Sequence, residues 1–313
     1  MARPHKGQHK VPRTYLEAFT NPDGQFWAAN DKLKIYPAKP HNILTERDFY
    51  NVRFPSGGGT LLIETKFLGG IETAYAEIYR TKLKDQKALT EHEKGVMAIF
   101  VASMLERSPR RREAMQQFFD EVTSKTGAMQ AIVDAMTPEE RAEFGKQQPP
   151  VSEESRKNSI PASEFVRLGK DVPSLHSSEI PRMVASTAPI LFDMKWGFMT
   201  RMPEATDPFI TSDSPAVLVN PSIPYDSFWG PGLGQKDVEI TIPLSPDLAL
   251  LIGWQIEYEL MYIPVEAETI SELNRRLMRQ SDTLISNDKG ILERQAERVK
   301  KFLESKEAKQ QNW

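Results

Sequence analysis

The sequence predicts an α+β fold: a mixed or antiparallel sheet, made from an N-terminal hairpin and C-terminal strands, packed against a central set of helices. Three observations carry this. A β-patterned run interrupted by a polar bend lies between Gly24 and Tyr36. Apolar residues at helical spacing fill the middle of the chain, up to Asp193. From Lys195 onward, short β runs return between Pro and Gly clusters. Strands, then helices, then strands are segregated rather than alternating, which argues against a βαβ architecture.

The elements follow in order. His9 to Phe19 carries spaced apolar residues, and Pro12 suits an extended start or the first turn of a short helix from Arg13. Asn21-Pro22-Asp23-Gly24 is a turn, and the hairpin beyond it bends near Asn30-Asp31. Thr45 to Val52 reads as extended, and Pro55 to Gly59 as a flexible loop. A long helix is expected from Leu61 to Leu83, weakened in its middle by Gly69-Gly70. A second begins at Thr90, where Glu93 completes a capping box, and ends before Pro109. Arg110 to Thr126 and Gly127 to Phe144 read as two further helices, and Glu179 to Asp193 as another. Strands are expected near 195–199, 209–212, 216–220, 237–243, 249–254, 259–263 and 283–286. A helix is expected over 266–278, and a final amphipathic one over 292–305.

The length of 313 residues allows one large domain, and the chain reads as one. Residues 1–8 and 306–313 read as loose ends, and 145–161, polar and Pro-rich, as a linker or surface insertion. There is no cysteine, so disulfides, thiolate metal sites and cysteine nucleophiles are excluded. A net charge of −3 gives no global field to attract nucleic acid. No apolar run is long enough for a membrane helix, and the basic start lacks the apolar stretch of a secretory signal, so the expected location is the cytoplasm.

Several short motifs occur in a fixed order: HKVPRTYLEAF at 9–19, TERDFY at 45–50, IETKFLGGIE at 63–72, ASMLERSPRRRE at 102–113, ITSDSP at 210–215, IPLSPDLALLI at 242–252 and ELNRRLMRQSDTLIS at 272–286. In that order they resemble the domain-of-unknown-function 4238 family across nearly the whole chain. The resemblance brings no settled activity. It nominates polar positions: His9, Glu64, Glu72, Arg107, Arg112 and Asp213.

Read for chemistry, Asp213 ends an apolar strand before a Pro turn, a place suited to a catalytic or metal-binding acid and equally to an Asx-turn. Glu64 and Glu72 sit eight residues apart, which on an ideal α-helix is about 800°, roughly 80° beyond two turns. With Asp213 they could form an oxygen-rich site for Mg²⁺ or Mn²⁺, or they could simply face solvent. His9 suits a general base, or a structural hydrogen bond; His41, His92 and His176 read as residues of turns or polar faces. Arg107 and the run Arg110–Arg112 form a local basic cluster that could hold a nucleic-acid backbone or a nucleotide. Arg107 could instead form a buried pair with Glu64, Glu72 or Asp213. Zinc signatures, P-loops, Rossmann fingerprints and serine elbows are absent.

Two functions follow. The first is metal-assisted phosphodiester hydrolysis, nuclease-like, by His9, Glu64, Glu72, Arg107 and Asp213, with bacterial defence or toxicity as a setting. The second is a non-catalytic binding or regulatory protein, in which these residues are a structural network and aromatics such as Trp27, Tyr36 and Trp229 make the working surface. A third, weaker reading is ligand binding in a pocket holding Arg107 without paired carboxylates. Convergence of His9, Glu64, Glu72 and Asp213 in one open pocket discriminates among them.

Overall fold

A computed structural model describes residues 7–53, 59–60, 62–147, 152–157, 159–223 and 230–298. The helices are α1 (Arg13–Leu16), α2 (Gly69–Thr81), α3 (Glu91–Glu106), α4 (Pro109–Ala135), α5 (Pro138–Gln147), α6 (Glu153–Lys157), α7 (Ala162–Gly169), α8 (Val172–Asp193) and α9 (Ala267–Met278). A helical stretch over 289–298 ends the described chain. The strands are β1 (Gln8–His9), β2 (Phe26–Ala29), β3 (Ile35–Ala38), β4 (Thr45–Glu46), β5 (Val52–Arg53), β6 (Gly59–Thr60), β7 (Lys195–Arg201), β8 (Thr211–Ser212), β9 (Val217–Val219), β10 (Glu239–Ser245), β11 (Leu248–Gly253), β12 (Met261–Val265) and β13 (Leu284–Ser286).

The class is α+β as expected, with the strands distributed over more than one sheet. The main sheet has the order β12-β7-β11-β10-β9, antiparallel except where β12 runs parallel to β7. The N-terminal hairpin does meet later strands, but in a second sheet, β3-β2-β13-β8. Two short ladders, β1-β4 and β5-β6, fasten the N-terminal region to itself.

Alternation explains how the main sheet joins the helices. Trp196 and Phe198 of β7, Ile240 and Ile242 of β10, and Leu250 and Ile252 of β11 are fully or almost fully buried. They share a core with Phe100, Val101 and Met104 of α3 and with Ile180, Val184 and Leu191 of α8. That core also takes in Val11, Tyr15 and Phe19 near the N-terminus and Ile285 of β13. The α3 start is the expected capping box: the Thr90 hydroxyl accepts from the Glu93 N–H (3.2 Å), and the Glu93 carboxylate accepts from the Thr90 N–H (2.7 Å).

Four elements differ from expectation. The Leu61–Leu83 helix is interrupted by a π-helical turn over Ile63–Leu68, one turn before Gly69-Gly70, and α2 is regular from Gly69. The two helices expected on either side of Gly127 are one, α4; a lone glycine costs only about 1 kcal/mol in a helix and keeps its N–H. The α8 helix starts seven residues early, at Val172, capped by Asp171, and contains Pro181 and Pro189. Its buried face of Ile180, Val184, Ala188 and Leu191 outweighs the two backbone hydrogen bonds that the prolines remove. The segment 145–161, expected as a linker or surface insertion, is exposed where its burial is described, and it also carries helix, in the end of α5 and in α6, which the expectation did not include. Residues 1–6, 54–58, Pro224–Trp229 and 299–313, and with them most of the Pro55–Gly59 loop, Trp229, the second half of the helix expected over 292–305 and the expected tail, lie outside the described residues.

Among the described residues, no helix is long and apolar enough to cross a membrane.

Candidate functional site

Most of the motifs singled out in the sequence meet around Tyr50. The Gln8 side chain, 1% exposed, is the hinge of this centre. Its Nε2 donates to the Glu64 carboxylate (2.8 Å), and its Oε1 accepts from the Tyr50 N–H (2.6 Å). The Tyr50 hydroxyl donates to the carbonyls of His9 (3.2 Å) and Lys10 (3.3 Å). Burial raises the Tyr50 pKa well above the ordinary phenol value, with Arg107 the largest opposing influence; Glu72, Arg112 and Glu64 also act on it. The phenol is therefore a neutral hydrogen-bonding post within a ring of charges.

The two glutamates reach this centre from one side because of the π turn. An i→i+5 ladder winds only ~82° per residue, so the five steps from Glu64 to Gly69 and the three α-helical steps to Glu72 total about 710°, close to two full turns. The 80° offset expected for an ideal helix is absorbed. Glu72 then meets Arg107, whose Nη1 donates to it at 2.7 Å; the Arg107 side chain is 1% exposed and that of Glu72 is 28% exposed. The Arg107 Nη2 also contacts the Met104 sulfur (3.4 Å), and its Nε makes no hydrogen bond among the described residues.

Arg107 sits where it does because α3 and α4 meet at a corner of two residues. Arg107 closes α3, and Ser108 caps α4: the Ser108 hydroxyl donates to the Leu105 carbonyl (2.9 Å) and accepts from the Arg111 N–H (3.2 Å). The arginines after this corner divide. Arg112 turns inward: its guanidinium lies 3.5 Å from the Phe49 ring centroid, donates to the Phe49 carbonyl (2.6 Å) and stands 3.7 Å from Glu46. Arg110 and Arg111 are exposed. The Arg111 Nε donates to Glu106 (3.0 Å), whose other oxygen accepts from the Thr187 hydroxyl (2.9 Å). Among the described residues, no acid lies within ion-pairing distance of Arg110.

Asp213 stands apart from the glutamates. It is 3% exposed, and its Oδ1 accepts from the Asp282 N–H (3.3 Å) while its own N–H donates to the Thr283 carbonyl (3.1 Å). The carboxylate thus ties the end of β8 to the turn before β13, 69 residues away, instead of closing its own turn. Burial pushes its pKa up to about 6, and the neighbouring Asp282 adds to the rise. Asp213 lines a small cleft of about 70 Å³ with Asp282, Glu113, Arg110 and Arg279. A larger cleft of about 330 Å³ adjoins it, with Arg110, Ser214 and Gln280 common to both and Glu106 and Arg111 on its wall.

The expected metal trio of Glu64, Glu72 and Asp213 is not assembled. Glu64 is engaged by Gln8, Glu72 by Arg107, and Asp213 by the Asp282 backbone. Among the described residues, no three carboxylate or imidazole groups come close enough to hold a metal ion. The His9 imidazole turns to the Pro40 carbonyl (3.2 Å). His176, expected on a polar face, is fully buried in α8 with its Nε2 2.7 Å from the Glu106 carbonyl oxygen; burial, then Arg112, push its pKa down to about 4. Trp27 and Tyr36 are half-buried, each packed beside a core cluster.

Sequence reasoning missed Gln8 and Glu106. Gln8 precedes the His-Lys-Val-Pro run by one position, and strand alternation there would have turned it inward with Lys10; nothing else marks it. Glu106 lies on the same turn of α3 as Ser103 and Arg107, a polar interruption of an otherwise apolar face.

The fold and this centre define an α+β protein in which ordered polar motifs lock an N-terminal segment onto a helical layer. The chain matches the family model described as "protein of unknown function (DUF4238)" over residues 7–290, and it belongs to that family. No curated protein and no solved structure matches it.

Proposed function

We propose that this chain is a non-catalytic binding protein that takes a phosphate-bearing ligand, of the nucleotide or nucleic-acid kind, at the exposed arginines that begin α4. The motif residues beneath are the network that holds this helix start in place. The observation that carries the reading is the division of the four arginines. Arg107 and Arg112 are spent inward on Glu72, Phe49 and Glu46, while Arg110 and Arg111 face two joined clefts. The Arg110 guanidinium, which makes no ion pair among the described residues and stands at the mouth of a cleft, is a ready partner for a phosphate oxygen pair. Fluorescence anisotropy with labelled nucleotides and a labelled oligonucleotide tests it. Arg110→Ala should weaken binding tenfold or more, and affinity should fall with rising salt. Absence of binding by the wild-type chain to both classes of probe refutes it.

A second reading, phosphodiester hydrolysis, is favoured by one observation. The π turn aligns Glu64 and Glu72, and the Glu72 side chain remains 28% open to solvent. Functional helices often carry such turns. Nuclease assays with Mg²⁺ or Mn²⁺ on wild type, Glu64→Gln, Glu72→Gln and Asp213→Asn test it: cleavage abolished by any of the three supports hydrolysis, and no cleavage by the wild type removes it.

A further inference from the structure

The joined clefts constrain the size of the ligand. The larger holds about 330 Å³, within the range of small-molecule pockets, and part of its wall is apolar: Leu105, Leu218 and Leu233 line it together with the arginines. Such a wall suits a ring system. A polymer backbone would gain nothing there that a groove of lysines and arginines would not supply better.

Charge points the same way. A nucleic-acid strand needs a continued positive track, one phosphate after another. On leaving Arg110 toward the small cleft, a strand would meet Glu113, Asp213 and Asp282, with Arg279 as the one guanidinium among them. On the other side, Glu106 stands behind Arg111. Acids therefore bracket the two exposed arginines, and the small cleft offers only about 70 Å³ of space. Arg111 uses its Nε for Glu106, which leaves its two terminal nitrogens for a ligand oxygen.

We propose, resting on the phosphate-binding reading above, that the ligand is a monomer of nucleoside-phosphate size. Its phosphate sits between Arg110 and Arg111, and its ring lies against Leu105, Leu218 and Leu233. Recognition is by a single anionic group joined to a flat apolar body.

The test is isothermal titration calorimetry on the full chain with four probes: adenosine monophosphate, guanosine monophosphate, inorganic phosphate and a twenty-nucleotide single-stranded oligonucleotide. Two variants accompany it. Arg110→Ala removes the phosphate contact. Ala114→Trp, at an exposed position of α4 on the cleft wall, fills the space for the ring, and circular dichroism checks that it folds. The expected result is that at least one nucleoside monophosphate binds tenfold or more tightly than inorganic phosphate. Both variants should weaken it by tenfold or more, and the oligonucleotide should bind no more tightly than the monomer. An oligonucleotide that binds more tightly, sensitive to Arg110→Ala and indifferent to Ala114→Trp, overturns the monomer inference and leaves the phosphate reading standing. Inorganic phosphate binding as well as the monophosphates overturns the ring contact. No binding by any probe overturns both.

Discussion

Removing the Glu72 carboxylate should be among the most damaging single changes to this fold. The Arg107 side chain is 1% exposed, and among the described residues its carboxylate partner is Glu72 at 2.7 Å and its Nε has no hydrogen bond. Glu72→Ala would leave that charge buried with only the Met104 sulfur and distant charges around it. Breaking one half of a buried pair costs about 3–5 kcal/mol, and the partial opening of Glu72 to water places the expected loss near the lower end. For a chain of 313 residues, an unfolding entropy of roughly 2.1 cal/mol/K per residue gives a slope of about 0.66 kcal/mol per degree. The midpoint should therefore fall by about 5 °C, read by far-ultraviolet circular dichroism in a thermal melt. The paired change Glu72→Leu with Arg107→Met removes both charges, and should recover most of the loss, because two apolar groups need no compensation. A Glu72→Ala midpoint within about 1 °C of wild type, or a double variant less stable than the single one, would refute the reasoning.

Other expectations are simpler. Asp213 has a folded pKa of about 6 against roughly 3.9 in an unfolded chain, so its ionisation opposes folding: the penalty is absent below about pH 4, grows through pH 6 and is complete above it. Denaturant titrations at pH 5 and pH 7 should show wild type losing stability relative to Asp213→Asn as pH rises, by roughly 1.3 kcal/mol between the two; a constant difference would refute the assignment. His176 has the opposite sign: it is held neutral at a pKa of about 4, so its contribution should be lost as pH falls from about 6.5 toward 4, and that pH dependence should shrink in His176→Asn. Tyr15→Phe strips partners from the Thr211 hydroxyl (2.8 Å) and the Pro243 carbonyl (2.6 Å) and should cost about 1–3 kcal/mol in urea unfolding. Thr90→Ala should cost about 1 kcal/mol in the same assay by opening the α3 capping box.

Legibility of these features in the sequence followed the range of the interactions that make them. The capping box at Thr90, the hairpin after Gly24 and the strands from Lys195 onward are set by neighbours within a few positions, and they stand where local pattern placed them. Gly127 misled for the same reason, since locally it weakens a helix but α4 simply continues; and the first turns of α8, from Val172, are held by contacts outside their own neighbourhood. The candidate site was half legible. Glu64, Glu72 and Arg107 were nominated and do gather near Tyr50, yet their partners were not foreseeable, since Gln8 lies 56 residues from Glu64 and the π turn that aligns the glutamates has no local signature. Asp213 is marked in the sequence by its place before a Pro turn, and only tertiary contact with Asp282 reveals that it lines a different cleft.

The π turn also has a consequence for tolerated length. A π turn amounts to one extra residue looped into an α-helix, so the eight-residue spacing of Glu64 and Glu72 behaves as seven. Most deletions inside a helix rotate everything beyond them by about 100° and scramble the buried face. Loss of the exposed Lys66 would instead relax the loop into ordinary helix, and both Gln8–Glu64 and Glu72–Arg107 would stay in phase. This is a place in the chain where a gap in length is absorbed in silence.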